Sequence, residues 1–337
     1  MIDDMDQLDS WDEIIEDLKK EPNKSKLAVA YCGRGLLYFT QYEMIDEALE
    51  DLKKSIEIFE ALPEDDIPID PFSYPYAYSC RGMVYEFLGE YEQALEDESK
   101  GIEIYELLAR DHGYDTNESL FQAYSAIGQL LNDMSRYDEA IAALEKSIRL
   151  GKKLKTTCES FDEVHLGGTY QYIGNSYDSL EDFAKANIYY NLGIEIYERV
   201  LKESGELWDL PALATAYMNR AANHFELNDI KKALSDANRG IEIREMILNN
   251  GEEDDPIELA QAYNIRGQCY IANGDILKGI DDKIKSLRIL KQYLDEDPER
   301  ANEFKDIYHD FFDEVEYLIK EQSDEKQLKE FYSEFMG

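Results

Sequence analysis

Three observations in this 337-residue sequence predict an all-α chain: a solenoid of six helix-turn-helix repeats with N- and C-terminal capping helices. First, a tyrosine returns at Tyr31, Tyr78, Tyr124, Tyr170, Tyr217 and Tyr263, at intervals of 47, 46, 46, 47 and 46 residues. Second, four residues after each stands a small residue (Gly35, Gly82, Gly128, Gly174, Ala221, Gly267), and three further on a larger one (Tyr38, Tyr85, Leu131, Tyr177, His224, Tyr270). Third, an amphipathic run follows each time. It opens on Ala48, Ala94, Ala140, Ala186, Ala233 or Gly279 and reaches Ile58, Ile104, Leu150, Ile196, Ile243 or Ile289 ten residues later.

The second copy, Tyr76 to Ile104, shows the logic. Tyr78, Arg81, Gly82 and Tyr85 fall on one face of a helix. Gly89-Glu90 breaks it, and Tyr91, Ala94 and Leu95 begin a second helix leading to Ile102 and Tyr105. Gly82 and Ala94 are small where the two helices must cross. A lone hairpin of this kind leaves an apolar side wet, so the copies have to stack.

Taken in order, residues 1–24 are acidic. The capping-box pattern Ser10-Trp11-Asp12-Glu13 predicts a short capping helix at about 11–20, with Trp11, Ile14, Ile15 and Leu18 on its apolar face and Pro22 ending it. The repeats are expected within 25–297, at about 25–62, 71–110, 118–156, 163–204, 210–250 and 256–297, the first with one extra residue in its inner turn. The connection Leu62–Pro75 holds four of the eight prolines and is expected to be non-helical. Ala109–Ser119, Thr156–Glu163, Glu203–Leu210 and Asn249–Pro256 fall at the same point of the unit, so all should emerge on one edge. Pro75, Pro211 and Pro256 sit near first-helix starts, where a missing N–H costs little. After Asp297-Pro298 the pattern stops. Residues 298–337 are predicted as C-terminal capping helices: one over 299–320, with Phe304, Ile307, Tyr308, Phe311, Phe312, Val315 and Leu318 in helical spacing, and another at about 324–335.

The stretch YSCRGMVYEFLGEYEQALED, residues 78–97, resembles the tetratricopeptide repeat family in its aromatic, small residue, aromatic, glycine turn and alanine. The likeness covers roughly residues 25–297, although these units are about a dozen residues longer than the family's usual thirty-four or so. Longer outer helices and inter-repeat loops would absorb the difference. The resemblance implies a right-handed superhelix, first helices lining a concave face, and a role in protein–protein recognition.

A correlation inside the chain predicts an ion pair. Three residues after the tyrosine stand Arg34, Arg81, Ile127, Ile173, Arg220 and Arg266. Three after the opening small residue of the second helix stand Asp51, Asp97, Ala143, Tyr189, Asp236 and Asp282. Arginine goes with aspartate and isoleucine goes without, as bidentate pairing across the hairpin would require.

Each first helix has a second stripe at −2, +1, +5 and +8 from its tyrosine. Following the resemblance, this stripe is the candidate binding face. It reads Gln122, Ser125, Gln129, Asn132 in repeat three, Gly168, Gln171, Asn175, Asp178 in repeat four, and Gln261, Asn264, Gln268 in repeat six. Amides both donate and accept, so a ladder of them can hold the backbone of an extended peptide. Repeats two and five add Tyr76, Ser79, Met83, Met218 and Phe225, the methionines and aromatics as seats for apolar side chains. No Lys or Arg occupies these positions, which disfavours the family variant that grips a C-terminal carboxylate. In repeat one the stripe is Val29, Cys32, Leu36 and Phe39, too apolar to leave wet. The helix at 11–20 is therefore expected to fold over it through Trp11, Ile14 and Leu18, as a cap or as a gate.

The net charge is −39, from 74 acidic and 35 basic residues. Such a field repels nucleic acid and anionic membrane and suits a basic protein partner. The acidic start lacks a signal-peptide core, and no apolar run is long enough to span a membrane. Cys32, Cys80, Cys158 and Cys269 lie far apart, as reduced, core-filling cysteines in a cytoplasmic protein would. His112, His165 and His309 show no metal-ligand spacing, and His224 stands where a packing tyrosine is expected, so it reads as a core histidine. No phosphate-binding loop or nucleophile elbow is present. The expectation is a non-enzymatic scaffold, without cofactor or metal, binding a protein or extended peptide on its amide-rich face. The alternatives are an acidic inhibitor or immunity-type protein blocking a basic, nucleic-acid-binding partner, and a peptide-sensing regulator.

Overall fold

The structure is a computed structural model describing residues 2–21, 24–63, 70–204, 210–249, 255–296, 301–322 and 324–335. Pro22, Asp297-Pro298, the side chain of Phe304 and the centres of three expected connections (64–69, 205–209 and 250–254) lie outside the described residues. Every regular element among the described residues is helical. The chain divides into two units, Met1–Asp162 and Glu163–Gly337, so the boundary falls between the third and fourth copies.

The first unit holds α1 (Ile2–Leu18) and three hairpins: α2 (Ser25–Tyr42) with α3 (Ile45–Glu60), α4 (Ser73–Phe87) with α5 (Tyr91–His112), and α6 (Asn117–Asp133) with α7 (Tyr137–Thr157). The second holds α8 (Glu163–Ser179) with α9 (Phe183–Ser204), α10 (Leu210–Glu226) with α11 (Ile230–Asn249), α12 (Pro256–Ala272) with α13 (Ile276–Glu296), and then α14 (Ala301–Glu321) and α15 (Glu325–Phe335). From the second copy on, the second helices run 20–22 residues, and they absorb much of the extra repeat length. Helix α4 starts before Pro75, so the end of the expected non-helical connection is already helical. Pro256 is the first residue of α12, behind the N-cap Asp255, whose carboxylate accepts the Ile257 N–H at 2.9 Å.

Every inner turn closes the same way. One left-handed residue follows the first helix: Glu43, Gly89, Ser135, Glu181, Asn228 or Gly274. The next N–H then reaches back to the carbonyl of the large residue at +7, as in Glu90 to Tyr85 (2.8 Å), Asp182 to Tyr177 (2.9 Å) and Asp275 to Tyr270 (2.9 Å). In the first hairpin Met44 reaches Tyr38 across one additional residue, as the longer spacing predicts.

Where the helices cross, the small residues are required. A Cβ on Gly128 would stand 2.3 Å from Leu144 Cγ, and one on Gly174 2.5 Å from a ring carbon of Tyr190. The opposing Ala48, Ala94, Ala140, Ala186 and Ala233 are buried. Four leading tyrosines are buried, and Tyr124 and Tyr217 are half-buried. Their hydroxyls donate to a glutamate on the preceding second helix: Tyr78 to Glu60 (2.7 Å), Tyr124 to Glu106 (2.9 Å), Tyr217 to Glu198 (3.1 Å) and Tyr263 to Glu245 (2.5 Å).

The four expected Arg–Asp pairs form, each bidentate. Arg34 holds Asp51 at 2.6 and 2.9 Å, Arg81 holds Asp97 at 2.7 and 2.7 Å, Arg220 holds Asp236 at 2.7 and 2.7 Å, and Arg266 holds Asp282 at 2.6 and 2.9 Å. Three of the guanidiniums lie between the tyrosines at 0 and +7, for example 5.6 Å from Tyr78 and 5.8 Å from Tyr85. In the fourth hairpin the ring of Tyr189 takes that place, stacked on Tyr177 at 5.5 Å and tilted against Tyr170 at 6.4 Å.

Helix α1 departs from expectation twice. It begins at Ile2, so Ser10 is interior and the capping box does not form the N-terminus; residues 2–9 contain no Gly or Pro to stop a helix. It also packs on the Tyr31 side of α2 and not over the stripe. Ile15 is buried with Leu27, Ala30 and Tyr31, Trp11 and Leu18 flank them, and the Trp11 ring lies against Gly33. Ile14 and Val29 stay exposed. Cys32, Leu36 and Phe39 are covered instead by the cluster that contains Leu52, Ala77, Tyr78 and Cys80. Helix α1 stands to α2 as a preceding second helix would. Asp12 pairs with Arg34 Nη1, just as Asn191 of α9 takes Arg220 Nη1 (2.6 Å) and Asn238 of α11 takes Arg266 Nη1 (3.0 Å).

At the other end, Val315, Ile319, Phe331 and Phe335 of α14 and α15 cover Ile280 and Leu287 of α13. Ile307, Tyr308 and Phe311 pack on Ile257, Ala260 and Leu290. No helix among the described residues is long and apolar enough to cross a membrane.

Two outcomes follow from these contacts. Glu181→Gly should stabilise the chain by about 0.5–1 kcal/mol in denaturant unfolding, because a left-handed β-carbon is removed; a loss of stability would show that the turn is not held in that conformation. Arg81→Leu should cost roughly 3–5 kcal/mol by stranding Asp97, and Arg81→Leu/Asp97→Leu should recover most of it. Equal midpoints for the single and double variants would rule out the pairing.

Candidate functional site

The stripe at −2, +1, +5 and +8 is not uniformly presented. On α4, Tyr76 is 47% exposed and Met83 40%, with Ser79 half-buried between them. On α6, Gln122 is exposed while Ser125, Gln129 and Asn132 are half-buried. In the second unit, Gln261 of α12 is exposed, and Asn175, Asp178, Phe225 and Gln268 are half-buried.

Three of the expected contact residues are turned inward. Met218 is 5% exposed and packs over Gly240, with Ala221, Ala237 and Ile241 around it, so it offers no seat to a partner. Gln171 and Asn264 are buried as well. The cause is angular. At 100° per residue, +1 lies about 60° from the crossing point at +4, whereas −2 and +5 lie about 100–120° away. The −2 and +5 columns are therefore the presented ones.

The structure adds a set of residues that the stripe analysis missed. Four positions after the opening small residue of each second helix stand Leu52, Glu98, Leu144, Tyr190, Ala237 and Lys283. This position lies under the bare crossing point of the first helix: the Leu52, Glu98, Leu144, Tyr190 and Lys283 side chains are what a Cβ on Gly35, Gly82, Gly128, Gly174 and Gly267 would meet. Where the residue is polar, its end reaches the stripe. The Tyr190 hydroxyl donates to Asn175 Oδ1 at 2.8 Å. Lys283 Nζ donates to Asn264 Oδ1 at 2.7 Å and to Glu314 of α14 at 2.6 Å. Glu98 Oε2 accepts from Ser79 at 3.2 Å. The sequence signal was there, as polar residues in a column otherwise filled by Leu and Ala.

The electrostatics follow from burial. Desolvation holds the Lys283 ammonium below its ordinary pKa against the pull of Glu314. Desolvation pushes the Glu98 carboxyl up to about 7, with Glu86 and Asp97 adding to it and Ser79 opposing. Glu86 is raised by burial and by Asp133, and Asp133 by burial alone. Asp178 is raised by burial, with Asn223 pulling it back.

Asn175 is a stripe amide held by two donors. Its Oδ1 accepts from the Tyr190 hydroxyl and, at 3.1 Å, from Asn219 Nδ2. Its own Nδ2 has no partner among the described residues.

His224 is largely buried between Asn187 (3.5 Å) and Asp236 (3.8 Å), and burial lowers its pKa. Cys32, Cys80 and Cys269 are buried free thiols, and Cys158 is a half-buried one. Among the described residues no group of three His, Cys, Asp or Glu side chains is arranged to hold a metal ion.

The sequence model of the tetratricopeptide repeat matches residues 121–151, within the third hairpin. No curated protein sequence matches the chain. Among solved structures, the apo form of RapI superposes with a TM-score of 0.62 at 16% identity, covering 96% of this chain and 78% of that one. Aspartyl phosphate phosphatase F from Bacillus subtilis gives 0.60 at 19% identity, covering 96% and 74%. PH0952 from Pyrococcus horikoshii, a signal-transduction ATPase with a tetratricopeptide repeat sensor, gives 0.63 at 16% identity over 88% of this chain. The match spans 41% of PH0952. At these identities the likeness is one of fold.

The Glu98 shift has a measurable consequence. The folded chain keeps a proton that the unfolded chain releases in the ordinary carboxylate range, so Glu98 lowers stability as pH rises from there to about 7. Stability profiles of wild type and Glu98→Gln should diverge across that window by roughly 3 kcal/mol in the variant's favour and run parallel above it. Parallel profiles throughout would mean that Glu98 titrates normally.

Proposed function

We propose that the chain, with its tetratricopeptide-repeat-like fold and its matching third hairpin, is a non-enzymatic scaffold that holds an extended segment of another protein along its first helices. The observation carrying this reading is Asn175. With its carbonyl taken by Tyr190 from beneath and by Asn219 of the neighbouring first helix, the amide has one group left to offer, a donor already fixed in direction. A donor fixed in advance loses little entropy when it meets a partner's backbone carbonyl. In the first unit Gln122 and Gln129 supply further amides, and Tyr76 and Met83 supply exposed apolar surface; in the second, Gln261 and Gln268 supply amides. The charge of −39 favours a basic segment and disfavours nucleic acid or an anionic membrane as the ligand. A peptide-sensing regulator is the narrower form of the same reading.

The same charge supports a second reading, in which the acidic surface alone blocks a basic nucleic-acid-binding protein. Selection from a random decapeptide library against the full chain separates the two. The scaffold reading expects enriched peptides whose affinity drops about tenfold in Asn175→Ala, measured where that variant, less stable for the lost Tyr190 bond, is still fully folded, and changes modestly with ionic strength. Enriched peptides that bind Asn175→Ala and Gln129→Ala like wild type, and let go steeply as salt rises, would replace it with the acidic-surface reading.

A further inference from the structure

The column Leu52, Glu98, Leu144, Tyr190, Ala237, Lys283 holds three buried polar ends, and two of them are matched. Tyr190 is neutral and hydrogen-bonded, and Lys283 has its counter-charge in Glu314. Glu98 has none. It is 6% exposed, its single hydrogen bond is the one from Ser79, and Oε1 has no donor among the described residues. That oxygen lies against the bare crossing point of α4, 3.3 Å from where a Cβ of Gly82 would stand. The charged groups that act on Glu98 are themselves acidic: Glu86 of α4 and Asp97 of α5, with Asp133 of α6 beyond Glu86. Asp97 is spoken for by Arg81.

Packing does not ask for this carboxylate. Leu52 and Leu144 fill the same place in the neighbouring hairpins. A buried carboxylate without a counter-ion is costly, and uncompensated buried charge marks candidate sites. We propose that Glu98 is the receptor for the guanidinium or ammonium of an arginine or lysine side chain carried by the segment bound along α4 and α6, with Glu86 and Asp133 at the rim. The inference rests on the scaffold reading and specifies one side chain of its ligand. Ser79, one turn from both Tyr76 and Met83, ties Glu98 to the presented columns.

The test uses the full chain with 13C-labelled glutamate side chains, titrated with N-acetyl-arginine amide and with its neutral isostere N-acetyl-citrulline amide. The arginine probe should shift the Glu98 carboxyl resonance saturably and lower its titration midpoint, and the citrulline probe should not. In parallel, two random decapeptide pools with either a fixed arginine or a fixed citrulline are compared. Wild type should favour the arginine pool by about tenfold. Glu98→Gln and Glu98→Leu should erase that preference without loss of folding stability, whereas Gln129→Ala, on α6 of the same unit, should weaken both pools alike. Equal binding of the two pools by wild type, or a preference that survives in both Glu98 variants, overturns this inference and leaves the scaffold reading standing. Failure of both pools to bind overturns the two together.

Discussion

Close approach of two antiparallel helices at one small residue per hairpin is the constraint on which the rest depends. With Gly128 over Leu144 and Gly174 over Tyr190, any side chain at the crossing would force the helices apart. Approach at that distance fixes the rotation of each helix about its axis. Bidentate Arg–Asp pairs can then recur in the same geometry in four separate hairpins. The same approach sets the tyrosines at 0 and +7 on either side of the guanidinium, or of the Tyr189 ring that replaces it.

Much of what recurs was legible in the sequence, because each copy must satisfy the same contacts. The period, the crossing residues and the Arg–Asp pairing could all be read by comparing copies within the chain. Of the elements without a copy, α14 and α15 were legible from their apolar spacing, and α1 only in part. Helix α1 offered Ile14 and Ile15 side by side, and choosing the face meant choosing between them; the structure buries Ile15 against Tyr31. The left-handed turn residues were visible only at Gly89 and Gly274. Elsewhere Glu43, Ser135, Glu181 and Asn228 adopt the conformation because the reach-back hydrogen bond and the hairpin require it.

The candidate face was half legible for a related reason. Its columns recur from copy to copy, but a stripe drawn by offsets treats all four columns as equally wet. The +1 column, with Cys32, Gln171, Met218 and Asn264, leans toward the crossing point and is buried, and only Ser79 and Ser125 there keep some exposure. Two of the stripe amides are held from beneath. Tyr190 orients Asn175 and Lys283 occupies Asn264, and neither effect is visible from the first helices alone.

Net charge and buried charge act at different ranges. The surface excess of carboxylates attracts any basic segment from a distance, and salt screens that attraction over about 10 Å at ordinary ionic strength. It cannot discriminate one basic segment from another. A carboxylate such as Glu98, desolvated beneath a helix crossing, is screened far less, and a charge pair made there depends on geometry as well as on sign. Lys283 shows the inverse arrangement at the same register: there the chain brings its own counter-ion, Glu314, from α14. The fold accepts leucine, tyrosine, lysine or glutamate at this position. Its chemistry is thus free to vary from hairpin to hairpin while the crossing that frames it stays constant, so a repeat built for packing can carry different ligand preferences along its length.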